Sequence, residues 1–200
     1  PKIILKVEEL NTTDLIKKIN EGHLDAAIAA TPLENDKIKE RVLYYEPFVG
    51  YVTENHRLYD KKTIDVDDLD VNDILLLEDG HCFRDSVINL CKNRAAIEDE
   101  NFQLQSGSFE TLIKLSNEGL GMTLLPYLHT LEIKDTEKKY LRFFKEPSPA
   151  REVSLIQHKS ELKPHIVQAL YEVITSVVRG AIAFQDVKII SPVLSKNKHR

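Results

Sequence analysis

Short β-rich runs alternate with apolar residues at helical spacing along most of the chain. KIILKV, residues 2–7, reads as a strand. In TTDLIKKINEG the apolar residues Leu15, Ile16 and Ile19 share one helical face, and Gly22 ends the run. LDAAIAA, residues 24–30, reads as a buried strand. Together these predict a strand–helix–strand unit with a parallel strand pair and a right-handed crossover. Further along, residues 42–45 and 48–53 are strand-like with Pro47 between them, and residues 74–77 form another strand. Residues 82–93 have Phe83, Val87, Leu90 and Cys91 on one helical face. Residues 102–105 read as a strand. Ser108 caps a helix over 109–118 carrying Leu112, Ile113 and Leu115. Gly119 and Gly121 punctuate, MTLLP is a strand ended by Pro126, and EVSLIQ, residues 152–157, is a late strand. Pro164 opens a long amphipathic helix to about residue 178. The alternation predicts an α/β fold. The pattern starts directly in a strand, as expected for a fragment of a longer chain.

Two hundred residues, 42% hydrophobic and 30% charged, suit one large soluble domain or two small lobes. There is no internal repeat and no apolar run long enough to span a bilayer. PKIILKVEEL lacks a signal-peptide layout, so a cytoplasmic location is expected. A net charge of −5 argues against this chain gripping nucleic acid by itself. The basic end SKNKHR reads as a solvated terminus. A serine-hydrolase elbow and a phosphate-binding loop are both absent.

The chemistry concentrates in LLLEDGHCFRDSVINLCKN, residues 75–93, which holds both cysteines of the chain. Two cysteines make no disulfide scaffold, and in a reducing compartment their resting form is the thiol. If residues 82–91 are one helix, Cys82 and Cys91 are displaced by roughly 13–14 Å and face opposite sides. A disulfide needs Cα atoms within about 7 Å, so bonding the two sulfurs would require the segment to unwind. Cys91, on the apolar face, reads by itself as a small buried hydrophobe. Cys82 follows Gly80 and His81 at the helix N-terminus, where backbone N–H groups and the helix dipole favour a thiolate and an imidazole is adjacent. Arg84 reads as a solvated helix residue. Zinc sites use closer cysteine spacing and a second ligand pair, and His81 with Cys82 and Cys91 supplies at most three ligands. His23, His56, His129, His158 and His165 show no ligand spacing. Core residues, metal ligands and the two halves of a switch all stay open on the residues alone.

GHCFRDSVINLC resembles the peroxide-sensing branch of the LysR-type transcription regulators, which carries GHC-R-D followed by a second cysteine at this spacing. SFETL at residues 108–112 and GLGMTLLP at 119–126 are similar to the family's S-x-E-T-L and G-x-G-I-T-L-L-P stretches. The pattern L-x-x-x-I-x-x-G-x-L-D from Leu15 to Asp25, and EPFVGYVTENHRL at 46–58, look like the first lobe and the interlobe strand of LysR-type effector domains. The resemblance covers roughly residues 2–157.

It implies two Rossmann-like α/β lobes joined by two crossing strands, in a type II periplasmic-binding-protein-like arrangement. Lobe I would comprise residues 1–45 plus 155–200, and lobe II residues 46–154, which carry the cysteines. A helix-turn-helix, a linker helix and the first strand and helix of lobe I would lie outside this stretch. The resemblance places the peroxidatic cysteine on Cys82 and the resolving cysteine on Cys91, the two forming a disulfide. It places peroxide-binding residues on Thr12, Gly80, His81 and Arg151, with no cofactor. Read without the resemblance, Thr12 is a plain helix cap and Arg151 a surface ion pair. Implied partners are hydrogen peroxide, further copies of the chain as a homodimer or homotetramer, a thiol reductant for reset, and RNA polymerase, with DNA reached only through the helix-turn-helix. Such a protein is a sensor rather than an enzyme. The alternatives are a LysR-type domain binding a small organic effector in the interlobe cleft, a thiol peroxidase, and two inert cysteines.

Overall fold

The computed structural model describes residues 3–79, 81–91, 106–182 and 187–192. Eight strands are present among them: β1 (Ala27–Thr31), β2 (Ile38–Tyr51), β3 (Thr63–Ile64), β4 (Ile74–Leu75), β5 (Met122–Pro126), β6 (Leu141–Phe144), β7 (Ser148–His158) and β8 (Val187–Ile189). Five helices accompany them: α1 (Thr12–Asn20), α2 (Cys82–Leu90), α3 (Phe109–Asn117), α4 (Tyr127–Thr130) and α5 (Pro164–Arg179).

The strands form two sheets that share β2. Its first part, Ile38 to Pro47, pairs antiparallel with β7, which also pairs with β1 and, in parallel, with β8. Its last residues, Phe48 to Tyr51, enter a second sheet with β5, and Val49 to Tyr51 also pair with β6. β4 extends that sheet beside β5, and β3 beside β6, both in parallel. Pro47 stands where β2 changes neighbours. It has no N–H to donate to a ladder, so it is tolerated at this handover and would be disruptive mid-sheet. The β6–β7 segment makes the return crossing. The expected α/β architecture of two lobes joined by crossing strands is therefore present.

Strand periodicity decides which helix covers which face of the first sheet. Successive residues of β7 point to opposite sides. Ile156 packs with Ile19 of α1, Ala29 and Ile38 on one side. Leu155 packs with Leu43 and Val167 of α5 on the other. Each such fully buried side chain contributes about 1.5–3 kcal/mol. The second sheet holds the largest cluster, which joins Phe48, Leu112, Met122 and Leu124 to Phe83, Val87, Leu90 and Cys91.

Several sequence expectations are corrected. Residues 3–7 form no strand, and Ile3, Ile4, Leu5 and Val7 are exposed, Ile4 by 86%. β-propensity is not enough without a neighbouring strand. β1 pairs antiparallel with β7, so the expected parallel strand–helix–strand unit does not form. The 3–11 stretch is instead tied to α1 by an ion pair between Glu8 and Lys18. Residues 42–45 and 48–53 belong to one continuous strand through residue 51, because Pro47 ends a pairing and not the strand. The short strands β3, β6 and β8 carry too little periodicity to be read. The strand expected at residues 102–105 lies outside the described residues.

Gly121 allows the close approach of β4 and β5. Its φ is +148°, and a Cβ there would lie 2.8 Å from the Asp73 carbonyl oxygen. Gly121→Ala combines backbone strain with a clash against main chain. It is expected to lower unfolding stability by about 2–3 kcal/mol in urea denaturation.

Candidate functional site

The site is built around α2. A bridge between Leu77 and Ser106, with the Glu78 amide donating to the Ser106 carbonyl at 3.0 Å, fixes the chain just before the helix. His81 is the N-cap, in extended conformation and with no side-chain capping bond. Cys82 is thus the first helical residue. The first intrahelical bond runs from the Arg84 amide to the His81 carbonyl at 2.9 Å, so the amides of Cys82 and Phe83 precede the helical ladder. Cys82, a half-buried residue, therefore sits at the positive end of the helix.

Charges crowd the same end. Arg84 pairs with Asp79 at 2.9 Å and lies 3.9 Å from Asp85, and His81 lies 3.6 Å from Glu78. Burial raises the pKa of Asp85; Arg84 opposes that shift and Asp79 adds to it. Ser86 donates to the Cys82 carbonyl at 3.0 Å.

The other end is different. Cys91 is the C-cap and is 3% exposed. Its thiol donates to the Val87 carbonyl at 3.4 Å. Asn89 donates to the Ser191 carbonyl at 2.9 Å, and Ile190 packs against the cluster that holds Cys91. Both cysteines are thiols. The helix between them sets them roughly 13–14 Å apart along its axis, so a disulfide is incompatible with α2 as folded.

Of the other expected site residues, Gly80 lies outside the described residues. Thr12 opens α1, which packs against β1 and β7. It is not the cap: Asn11 is, accepting from the Asp14 amide at 2.8 Å. Arg151 is not in a surface ion pair. Its Nε and Nη2 donate to Glu46 Oε2 at 2.9 and 2.7 Å, and Glu46 is 2% exposed. The Arg151 guanidinium also lies over the Phe83 ring, 5.1 Å from its centroid. Arg151 thus reaches the cysteine helix through the residue next to Cys82.

Glu46 was not singled out from the sequence. The signal was there: Glu46, between Tyr45 and Pro47, is the single charged residue in the run VLYYEPFVGYVT, residues 42–53. A cavity of about 400 Å³ is lined by Thr53, Glu54, Asn117, Glu137, Lys139 and Tyr140 among others, all between residues 53 and 140. Its polar groups satisfy one another: Glu54 accepts from Lys139 at 2.9 Å and Glu137 from Asn117 at 3.0 Å. Among the described residues no cluster of three or more His, Cys, Asp or Glu could hold a metal ion, and no helix is long and apolar enough to cross a membrane.

The family model of the LysR substrate binding domain matches residues 1–179. A probable hydrogen peroxide-inducible genes activator from Mycobacterium leprae is 33% identical over 155 residues, covering 78% of this chain and 50% of that protein. The DNA-binding transcriptional dual regulator OxyR of Escherichia coli is 34% identical over 157 residues, with 78% and 50% covered. The chain spans about half the length of these curated relatives. Among solved structures, OxyR from Porphyromonas gingivalis superposes with a TM-score of 0.81 at 26% identity, covering 92% of this chain and 84% of that one. A full-length OxyR variant from Pseudomonas aeruginosa gives 0.74 at 30% identity, covering 92% and 61%.

Asp85 makes the start of α2 sensitive to pH. Its folded pKa is raised, so its contribution to stability is fully present below the unfolded value of about 3.9 and is lost as pH rises through the folded value. Asp85→Asn is expected to raise unfolding stability at pH 7 and to give no gain below about pH 4, measured by urea denaturation across that range.

Proposed function

This chain belongs to the family of LysR substrate-binding domains, and we propose that it is the redox-sensing regulatory part of a LysR-type transcription factor that detects hydrogen peroxide. The observation that carries this reading is the asymmetry of α2. One cysteine is half-exposed at the helix N-terminus and the other is buried at its C-cap. The Mycobacterium leprae relative named as a probable hydrogen peroxide-inducible genes activator supports it.

The proposed sequence of events begins with Cys82 reacting as its thiolate at the helix N-terminus. It attacks one oxygen of hydrogen peroxide and the O–O bond breaks. The departing hydroxide takes up a proton and leaves as water, and Cys82 becomes a sulfenic acid. His81, Gly80, Thr12 and Arg151 are the proposed peroxide-positioning residues. Next α2 unwinds and Cys91 leaves the core. Its sulfur attacks the Cys82 sulfur, the S–O bond breaks, and a second water is released as the disulfide forms. The balance is two thiols and one peroxide to one disulfide and two waters.

The same segment that carries the thiols also caps the largest core cluster, so unwinding it changes the surface of lobe II. In the whole protein that change would repack a homodimer or homotetramer and reset the DNA-binding domains, and through them contacts with RNA polymerase. A thiol reductant would restore the helix. Each peroxide is read once and not turned over, so this is sensing and not enzymatic catalysis. The proposed lobe limits are residues 1–45 with 155–200, and 46–154.

Near-stoichiometric peroxide followed by intact and peptide mass analysis tests the reading. A Cys82–Cys91 disulfide should form rapidly. Cys82→Ser should abolish the reaction, and Cys91→Ser should stop it at a sulfenic acid on Cys82. Survival of both thiols in excess peroxide would sink the proposal and favour a domain that binds an organic effector.

A further inference from the structure

We infer that Glu46 is a positioning residue: it holds the cysteine helix folded through Arg151 and Phe83, and so sets how readily the buried Cys91 is released. The inference rests on the redox reading for its biological meaning, but its physical content concerns only the folded state.

Glu46 is a buried carboxylate for which the redox chemistry has no direct use. Both its oxygens are committed. Oε2 accepts two hydrogen bonds from Arg151, and Oε1 accepts from the Leu128 amide at 3.0 Å, at the start of α4. From these two anchors the contacts run back to α2 by separate routes. Arg151 lies over the Phe83 ring. His129, next to Leu128, lies 5.1 Å from the Phe109 ring, and Phe109 meets Phe83 edge-on at 5.0 Å. Phe48, two residues beyond Glu46 on β2, also contacts Phe83 at 5.1 Å. The contacts close a ring from Glu46 through Arg151, Phe83, Phe109 and the start of α4 back to Glu46. It ties together both crossing strands and the first turns of α2, α3 and α4.

Phe83 is where that ring meets the switch. It is 4% exposed and adjacent to Cys82. If α2 unwinds, Phe83 cannot stay in this seat, and Arg151 loses its aromatic contact while remaining beside Glu46. An arginine held by two charge-assisted bonds is rigid, and a rigid cation over a ring is a better latch than a mobile one. Glutamine at position 46 keeps the volume and a hydrogen-bond acceptor but removes the charge that fixes Arg151. Opening of α2 should then become easier.

The test uses the reduced chain with Cys82→Ser, so that Cys91 alone reports. Because Cys91 is buried, an excess of a thiol reagent labels it only when its segment opens. Adding Glu46→Gln is expected to speed Cys91 labelling about tenfold, without the steep dependence on low urea that global unfolding shows. In a Phe83→Leu background the same change should have less than about a twofold effect, because the route through the ring is already cut. Should Glu46→Gln fail to fold, Arg151→Lys, which keeps the charge and loses the planar stack, takes its place with the same expectation. Unchanged labelling, equal acceleration with and without Phe83, or acceleration that tracks global stability would overturn the inference. Restoring Cys82 and adding peroxide separates the two readings. A faster disulfide in Glu46→Gln than in the chain with Glu46 intact supports both, whereas accelerated labelling together with no peroxide-driven disulfide even when Glu46 and Arg151 are intact overturns the sensor reading and leaves the latch standing.

Discussion

An α-helix with Cys82 at its first residue and Cys91 at its C-cap displaces the two residues by roughly 13–14 Å and turns them to opposite sides. A disulfide asks for about half that separation or less. The folded helix and the bond are therefore alternatives. In the proposed switch α2 must both fold and unfold, and a segment of that kind must be held by contacts that are sufficient but local. α2 is anchored by side chains from one cluster, by one hydrogen bond to Ser191, and by the aromatic and cationic contacts of Phe83.

The two ends of the helix offer different chemistry because they have different surroundings. At the N-terminus, Cys82 is partly buried in a turn that also carries the unladdered amides, His81 and Arg84, the last two paired with Glu78 and Asp79. At the C-terminus, Cys91 is a core residue whose thiol has a carbonyl partner, an environment that suits an inert group. What is proposed for Cys91 is a change of environment and not of intrinsic reactivity. The crossing strands matter for the same reason. β2 supplies Glu46 and Phe48, and β7 supplies Arg151, so the hinge between the sheets is also the seat of the helix.

Much of this was legible from the residues. The apolar face of α2, the Ser108 cap of α3, the strand MTLLP and the Pro164 start of α5 all follow from local periodicity and capping. What failed depends on distant partners. KIILKV has strand propensity, yet residues 3–7 pair with no strand among the described residues. Pro47 looked like a break and proved to be a change of pairing within one strand. At the site, Cys82, His81 and Cys91 were visible because they are close in sequence. The Glu46–Arg151 pair spans 105 residues and was invisible to any local pattern.

Amide hydrogen exchange across α2, compared between the reduced chain and the chain after near-stoichiometric peroxide, tests the central claim most directly. In the reduced chain the amides after the first turn, Arg84 to Leu90, should be protected. Once the Cys82–Cys91 disulfide has formed they should exchange faster by roughly a hundredfold or more, while β2 and β7 keep their protection. A disulfide-bonded chain whose α2 amides remain protected as before would contradict the exclusion between helix and bond, and with it the proposed switch.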